Sequence, residues 1–600
     1  MGKRKHQELG PPAGPLLPEL TAKLVREDPE RARELLDALP LAWRVQAVLQ
    51  RSGKERFELI LLSRRARSLT RSLPEEEWWR TIKEVGEEDA LPLVAMGSNE
   101  QLAFLADLEW WYRDVLDPLM VIRWWTLFQE AGPEVLPRWF EIADEELLVL
   151  SLGKFMEVFT ADPDDLGYEP WRSLRIFTLD DSYYLHFRDP NLAPHLEQAL
   201  RALRERFPQR YYTILDRVRT SIPAEEEETA GRLRRGRLLD HGFPEFEEAG
   251  LVYAYLGPER MRELEKPAPA GRRVEGRSPE AAAPRYDLVK GELPRLLGQA
   301  LAGIEDPAAQ EEFRFEFARL TNRVLVADAA ELSSLEQLRA AAEKVCGYLE
   351  IGLEVWSDGN PAQARELVRT QRLIHLFQAG YSQAIRLHRR AKRLEEQGWF
   401  RQVENPLELL GEPVGSIARG LLRKRPLWYA GPGAKGEGQF REFQARSEIL
   451  EAERAIGRAE GLGRIFFEAL HLPSDALLEL GRHPAVQGPT LTWTAVLLTA
   501  LVRGALHQRF AFAPLEAADL PRVLAEVFTP EPPRRVRSEL REAWAQWFQR
   551  RLERVDAGLV APGQAFYEEC LRQLEEEWSR LDARRLDSKF LGTLIVSANG

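Results

Sequence analysis

The segment GRLRRGRLLDHGFPEFEEAG, residues 231–250, carries the residue types in this chain that are best suited to chemistry. Arg234 and Arg237 are three residues apart and Asp240 follows after three more, so on a helix these side chains share one face. Such a face can clamp an anionic ligand through bidentate hydrogen bonds, and the adjacent His241 can act as a general base. The same charges can equally form a structural ion-pair network. The sequence leaves both interpretations open.

Tryptophan is concentrated near the N-terminus, because nine of the 16 tryptophans lie between Trp43 and Trp171. Six of the nine form adjacent pairs. Neighbouring residues on a helix point about 100° apart, so the two rings of a pair cannot both face one narrow seam. Either a wide apolar face buries them, or some rings anchor a partner in an aromatic groove. The candidate binding residues are Trp78, Trp79, Trp110, Trp111, Trp124 and Trp125.

A second basic segment spans residues 386–425, with Trp428 and Tyr429 close behind it. Basic residues with aromatic neighbours can follow a nucleic-acid backbone. However, the formal net charge of -12 argues against a general role in coating nucleic acid. We therefore favour a solvated face with acidic partners, and nucleic-acid association remains a second alternative function.

The sequence shows no familiar motif for a metal, a cofactor or a nucleophile. The nine histidines include no i, i+4 pair, and Cys346 and Cys570 lie far apart in the chain. These spacings argue against a disulfide framework and a cysteine-based zinc module. The stretch from Asp162 to Gly167 begins like a calcium loop but places leucine and serine where oxygen ligands belong. We therefore predict no metal site, no cofactor and no catalytic residue, which argues against an enzyme.

The elements that must position these residues are mostly helical. The word DALPL occurs at residues 37–41 and again at 89–93, each time between segments with helical apolar periodicity. Ser98 and Gln101 have the spacing of a capping box. Repeated Leu-Pro joints predict an array of short stacked helices, of the armadillo or superhelix kind, over residues 18–155. The alternative is a helical domain without repeats.

The period changes around residues 174–187, where two segments rich in β-branched and aromatic residues flank Asp180 and Asp181. This pattern predicts one small β-hairpin. A later proline-rich stretch with almost no large apolar residue predicts a flexible linker. The fold class is therefore mainly α, with an N-terminal helical array and a C-terminal helical domain. The predicted order is a disordered N-terminus (1–17), the array (18–155), a helical region with the hairpin (156–265), the linker (266–285) and the C-terminal domain (286–600).

Nothing in the sequence predicts export or membrane insertion. The longest apolar run, residues 491–502, is about half of the roughly 20 residues that cross a bilayer, so it predicts a buried helix. The basic start MGKRKHQELG is followed by PPAGPLLPEL instead of a continuous apolar segment, which predicts no signal peptide. We therefore expect a cytoplasmic protein without a membrane span.

Three stretches resemble a bacterial family of large multihelical proteins that is known only as a domain of unknown function. They are GRLLDHGFPEFEEA, FARLTNRVLVADAAELSSLEQLRAAAEKVCGYLEIGLE and LIHLFQAGYSQAIRLHRRAKRL. The resemblance extends from about Leu41 to the end, and it implies a helical organisation but no activity. More faintly, the short helices with Leu-Pro joints resemble the helical superhelix of magnesium-transporter cytosolic domains and of a flagellar rotor protein. That likeness implies at most a protein-binding or regulatory array.

We therefore expect a cytoplasmic helical scaffold or adaptor that binds another protein through an aromatic-rich surface of its N-terminal array. The alternative is an enzyme or ligand sensor with a pocket between the two halves, lined by Arg234, Arg237, Asp240 and His241. An exposed groove with one ring from each tryptophan pair would favour the first function. Burial of all six rings would exclude that groove.

Overall fold

The computed structural model describes residues 22–160, 174–264, 293–432, 439–473, 475–477, 480, 491–581 and 591–597. It is mainly α-helical, as predicted, and its described residues form four small two-stranded sheets where the sequence predicted one hairpin. The chain forms two compact units, residues 1–378 (unit 1) and 379–600 (unit 2). The predicted disordered N-terminus lies outside the described residues, and so does the predicted linker.

Unit 1 begins with a succession of short helices whose starts coincide with the Leu-Pro joints. Pro40 and Pro74 immediately precede helices, and Pro92 lies in the first turn of another. The N–H groups of a first turn have no hydrogen-bond partner within the helix, so a proline there costs no helical hydrogen bond. Ser98 and Gln101 form the predicted capping box. The helices are α1 (Ala22–Glu27), α2 (Pro29–Asp37), α3 (Leu41–Leu49), α4 (Gly53–Leu62), α5 (Ala66–Arg71), α6 (Glu75–Val85), α7 (Leu91–Met96), α8 (Asn99–Glu109), α9 (Pro118–Ala131), α10 (Val135–Ile142) and α11 (Glu145–Phe155).

Two β-hairpin-like pairs interrupt the helices of unit 1. The first pairs β1 (Trp111–Tyr112) with β2 (Val115–Leu116) between α8 and α9. The second pairs β3 (Met156–Thr160) with β4 (Tyr183–Phe187) in antiparallel register. The predicted hairpin at 174–187 is therefore half wrong. Its second strand forms, but its first segment contributes only an isolated bridge between Phe177 and Leu185, and the strand that pairs along the whole of β4 is β3.

Helices on both sides of residues 266–285 pack together in unit 1, since the helix Phe246–Gly250 and the 3₁₀ turn Leu251–Tyr253 contact the helix Pro307–Ala327. The boundary between the units therefore lies further along, within the long helix Leu373–Glu396. The remaining helices of unit 1 are α12 (Ala193–Arg206), α13 (Pro208–Thr220), α14 (Pro223–Asp240), α15 (Phe246–Gly250), α16 (Pro258–Leu264), α17 (Arg295–Ala302), α18 (Pro307–Ala327), α19 (Leu335–Ser357), α20 (Pro361–Thr370) and the first part of α21 (Leu373–Glu396).

Unit 2 is also helical, and the apolar run at residues 491–502 lies in a buried helix, as predicted. In the described part of the chain, no helix combines the length and the apolar character needed to span a bilayer. After α21 come α22 (Pro406–Leu409), α23 (Val414–Leu421), α24 (Arg446–Gly463), α25 (Trp493–His507), α26 (Leu520–Arg522), α27 (Ser538–Val555) and α28 (Val560–Trp578).

Short irregular elements complete unit 2. The strand pairs are β5 (Trp428–Tyr429) with β6 (Phe440–Arg441), antiparallel, and β7 (Leu515–Glu516) with β8 (Val596–Ser597), parallel. The 3₁₀ turns are Trp399–Gln402, Ala517–Asp519 and Ala557–Leu559, and the π-helical turns are Arg464–Ala469 and Val523–Val527. Cys346 of unit 1 and Cys570 of unit 2 are both buried free thiols.

Candidate functional site

The six paired tryptophans are core residues, because each is at most 6% exposed. Trp110 packs edge-on against Trp139 with ring centroids 4.8 Å apart, and Trp125 packs edge-on against Phe140 at 5.3 Å. The pairs on α6 and α9 have rings that point about 100° apart and are nevertheless both buried. The third pair lies where α8 ends, with Trp110 as its C-cap, and β1 begins at Trp111. The predicted groove of exposed tryptophan rings is therefore wrong.

Helix α14 positions the arginines that the sequence singled out. Arg234 is buried, and it donates hydrogen bonds to two main-chain carbonyls, that of Asp107 at 2.7 Å and that of Arg113 at 3.0 Å. Its guanidinium also lies over the Trp111 ring, 5.2 Å from the centroid. Burial lowers the pKa of Arg234 to about 10, so the side chain stays charged at neutral pH. Arg234 thus ties α14 to the turn between β1 and β2.

Arg237 lies one turn further along α14 and forms an ion-pair network. It binds the carboxylate of Asp107 through two hydrogen bonds of 2.8 Å and that of Asp144 through one of 2.6 Å. Burial raises the pKa of Asp107, while the guanidinium of Arg237 opposes that rise. The two arginines share one face, as predicted, but unit 1 itself supplies the anions that they bind. The structural ion-pair interpretation is the one that this geometry favours.

His241 and Asp240 at the end of α14 have different surroundings. His241 Nδ1 lies 2.8 Å from Glu76 Oε1 at the start of α6, and its ring centroid lies 4.6 Å from that of Phe104. Burial acts to lower the pKa of His241, but the hydrogen bond and charge of Glu76 outweigh it and raise the pKa. Asp240 is exposed, and its main-chain carbonyl accepts a hydrogen bond from Arg319. The structure therefore does not gather Arg237, Asp240 and His241 around one ligand.

The hairpin of β1 and β2, held by Arg234, carries an apolar surface that the sequence analysis missed. Trp111 pairs with Leu116 in the register, and both side chains are buried. Tyr112 pairs with Val115, and these side chains are 61% and 57% exposed. Leu119, in the first turn of α9, is 66% exposed. We call Tyr112, Val115 and Leu119 the hairpin surface.

The turn of this hairpin is held in a strained conformation. Arg113 has φ 56°, a left-handed value that a residue other than glycine keeps only where its surroundings fix it. Those surroundings are on α14: Arg234 binds the Arg113 carbonyl, and Glu227 accepts a 3.4 Å hydrogen bond from the Leu116 N–H. In the sequence, this hairpin appears only as the pattern of apolar and polar residues in WYRDVL. That segment is too short for periodicity to distinguish a strand from a helix.

The family of the chain follows from comparison with known proteins. A family of unknown function, DUF6178, matches residues 33–597. The chain belongs to this family. The resemblance to a domain of unknown function is thereby confirmed. No curated protein and no solved structure matches the chain, so the comparisons give the magnesium-transporter likeness no support.

In this DUF6178 chain, loss of Arg234 is expected to loosen the hairpin. Arg234→Met removes two charged hydrogen bonds, one to the buried Asp107 carbonyl and one to the partly buried Arg113 carbonyl, each worth at most about 1.5–3 kcal/mol, and leaves the Arg237 network in place. We expect amide hydrogen exchange of residues 111–117 to accelerate by at least about tenfold. Arg235→Met is the matched control, because Arg235 lies 4.0 Å from Asp114 in a partly exposed pair and should change little. Equal exchange in both variants would contradict this role.

The basic segment at 386–425 lies in unit 2 and meets acidic side chains. Arg390 pairs with Glu460 at 2.7 Å, and Arg386 lies 3.4 Å from Glu453. Arg423 stacks over the Phe440 ring at 4.2 Å. These contacts agree with the expected face of basic residues with acidic partners. Nucleic-acid association has weaker support, because Arg386 and Arg390 are paired with glutamates of the same unit.

Proposed function

We propose that this protein is a helical adaptor that binds a partner protein through the hairpin surface of its N-terminal array. The observation that supports the proposal is the cross-strand pair of Tyr112 and Val115, two large apolar side chains that are both more than half exposed on a turn held in place. The proposal keeps the predicted role of the array. It replaces the tryptophan rings with residues next to Trp110 and Trp111.

The buried residues behind the hairpin make it a rigid platform. Tyrosine is enriched among residues that dominate binding energy, because it offers a large contact area with few rotatable bonds. A surface that is already ordered loses little conformational entropy when it binds. Trp111 is buried beneath the hairpin, and Arg234 binds the carbonyl of its turn residue Arg113. These two candidate residues predicted from the sequence therefore hold the binding surface in place.

The shape of the hairpin indicates the kind of partner. Tyr112 and Val115 lie side by side at the end of a two-residue turn and are both more than half exposed, so a concave apolar pocket would bury more of both side chains than a flat surface would. We therefore propose a protein other than a second copy as the partner, with a pocket that accepts an aromatic ring.

The proposal is tested by affinity purification of the tagged full-length chain from its native cells, in wild-type and variant forms. We expect a specific partner whose affinity falls by at least about 30-fold in Tyr112→Ser, which corresponds to about 2 kcal/mol for a dominant contact. Val115→Ser should weaken the same partner, because it lies beside Tyr112 in the register.

Phe246→Ser is the matched control, since Phe246 is 58% exposed on a different element, α15. It should leave the affinity unchanged. A partner that binds the Tyr112 and Phe246 variants equally would contradict the proposal. Self-association that is lost in Tyr112→Ser would replace it with a dimer interface.

The alternative, an enzyme or ligand sensor built on Arg234, Arg237, Asp240 and His241, has weaker support. The two arginines are occupied by the carbonyls and carboxylates of unit 1 itself. A ligand would have to displace Asp107, which is buried, and leave its carboxylate without a counter-ion.

A further inference from the structure

A group of three metal-ligating side chains lies where the end of α14 meets the start of α6. Glu75, Glu76 and His241 each offer one ligand atom, and these three atoms lie within 4.8 Å of one another. No other group of this kind occurs in the described part of the chain. The group is separate from the hairpin surface, and 165 residues separate Glu76 from His241 in the sequence, so spacing alone could not reveal it.

The two carboxylates lie side by side next to one imidazole. Glu76 is buried, and its hydrogen-bond partner is the imidazole of His241. Among described residues, the carboxylate of Glu75 is hydrogen-bonded by its own main-chain N–H. Two adjacent carboxylates that share one imidazole form an environment that a cation stabilises.

Charged groups of both signs surround the three side chains. The guanidinium of Arg319 acts on Glu76 from α18, but its hydrogen bond goes to the carbonyl of Asp240. Glu100 adds a negative charge near Glu75, and Arg71 acts on Glu100 in turn. The described side chain that binds Glu76 directly is therefore His241, whose proton an ion can replace.

We propose that Glu75, Glu76 and His241 bind one divalent transition-metal ion, with zinc as the ion that fits the donors best. An imidazole nitrogen with two carboxylate oxygens is a donor set that zinc accepts, at bond lengths of about 2.0–2.2 Å. Calcium takes six to eight oxygen ligands, so three protein donors that include a nitrogen suit it poorly. Three protein ligands also leave a fourth position open for a water molecule or an exogenous ligand.

The site needs only small movements to accept the ion. Metal–ligand bonds of about 2.1 Å place the donor atoms about 3–3.5 Å apart, and His241 Nδ1 and Glu76 Oε1 are already 2.8 Å apart. Glu75 is partly exposed, so its side chain can rotate to complete the site. The ion would replace the proton shared by His241 and Glu76, which leaves to solvent.

The fold holds His241 in place for this role. The main-chain carbonyl of His241 accepts a 2.8 Å hydrogen bond from Asn322, and its ring packs on Phe104. The next residue, Gly242, has φ 82°, and a Cβ there would lie 2.8 Å from Arg319 Cγ. Only glycine fits this approach, so the turn that presents the imidazole is closely packed against α18.

The test is a zinc titration of the metal-free full-length chain against a chromophoric chelator. We expect one zinc ion to bind at the site in the wild type. The zinc affinity should be lower by more than about 100-fold in Glu75→Gln and in His241→Gln. Loss of a residue that only hydrogen-bonds a metal ligand already costs about 10–100-fold in affinity, and loss of the ligand itself should cost more. His507→Gln is the matched control, because His507 lies 3.2 Å from Asp519 without forming such a three-ligand group. It should bind zinc as the wild type does.

Folding is checked by the circular dichroism and melting temperature of each metal-free variant. Glu75→Gln changes a partly exposed, isosteric side chain, so it carries the test if His241→Gln fails to fold. Zinc should also raise the melting temperature of the wild type but not that of Glu75→Gln. The proposal is overturned if the wild type binds no zinc, or if Glu75→Gln binds it as tightly as the wild type does.

Discussion

Replacement of Glu77 by glutamine is expected to lower the free energy of unfolding of unit 1 by about 3–5 kcal/mol. Glu77 is buried on α6 between two arginines that are also buried, Arg56 of α4 and Arg80 of α6 itself. Its carboxylate oxygen contacts the Arg56 guanidinium and lies 2.8 Å from Arg80 Nη2. Glutamine keeps the volume but removes the charge, so two desolvated cations would be left to repel one another.

The measurement is amide hydrogen exchange of α4 and α6 in the full-length chain, converted to free energies of opening. Glu55→Gln is the control, because Glu55 forms only an exposed pair, 3.9 Å from Arg26, and its loss should matter by less than about 1 kcal/mol. A small effect for Glu77→Gln would mean that Glu84, which lies 3.8 Å from Arg80, neutralises the cluster by itself.

Replacement of Trp78 by alanine is expected to destabilise unit 1 by a similar amount, about 3–5 kcal/mol. The ring is fully buried, and its Nε1 donates a 3.2 Å hydrogen bond to the Leu93 carbonyl. The ring is also so close to Gly97 that a Cβ there would lie 2.9 Å from it. Truncation would leave a large cavity and an unpaired carbonyl between α6 and α7.

Urea unfolding of the full-length chain measures this loss, and Tyr112→Ala provides the contrast. Tyr112 is mostly exposed, so its truncation should change stability by less than about 0.5 kcal/mol. The comparison of the two variants distinguishes an aromatic side chain that stabilises the core, Trp78, from an exposed one that does not, Tyr112. Equal stability of Trp78→Ala and the wild type would show that the tryptophans do not form the core described above.

Much of the fold could be predicted from local signals. The capping box at Ser98 and the helix starts at Pro40, Pro74 and Pro92 depend on residues next to one another, so the sequence states them directly. The strand β3 was missed because the pairing of Met156 with Phe187 joins distant segments. The boundary between the units was also missed, because packing of α18 on α15 is a tertiary contact that composition does not record.

The candidate sites show the same division. The shared face of Arg234 and Arg237 follows from helical spacing, but their partners Asp107 and Asp144 come from other helices. Aromatic content alone could not separate the buried Trp111 from the exposed Tyr112, because a hairpin of two-residue strands decides which face each occupies. The burial of two adjacent residues can be told apart only when the pairing register of their strand is known, and that register follows from the fold.

Photocrosslinking in living cells can show whether the hairpin surface docks a partner protein. A photoreactive phenylalanine analogue is placed at Tyr112 in one variant and at Phe246 in another, and both adduct patterns are compared. We expect a discrete adduct with one protein from position 112, which is lost when Val115→Asp is added and is absent from position 246. No discrete adduct at position 112, or the same adducts from both positions, would contradict it.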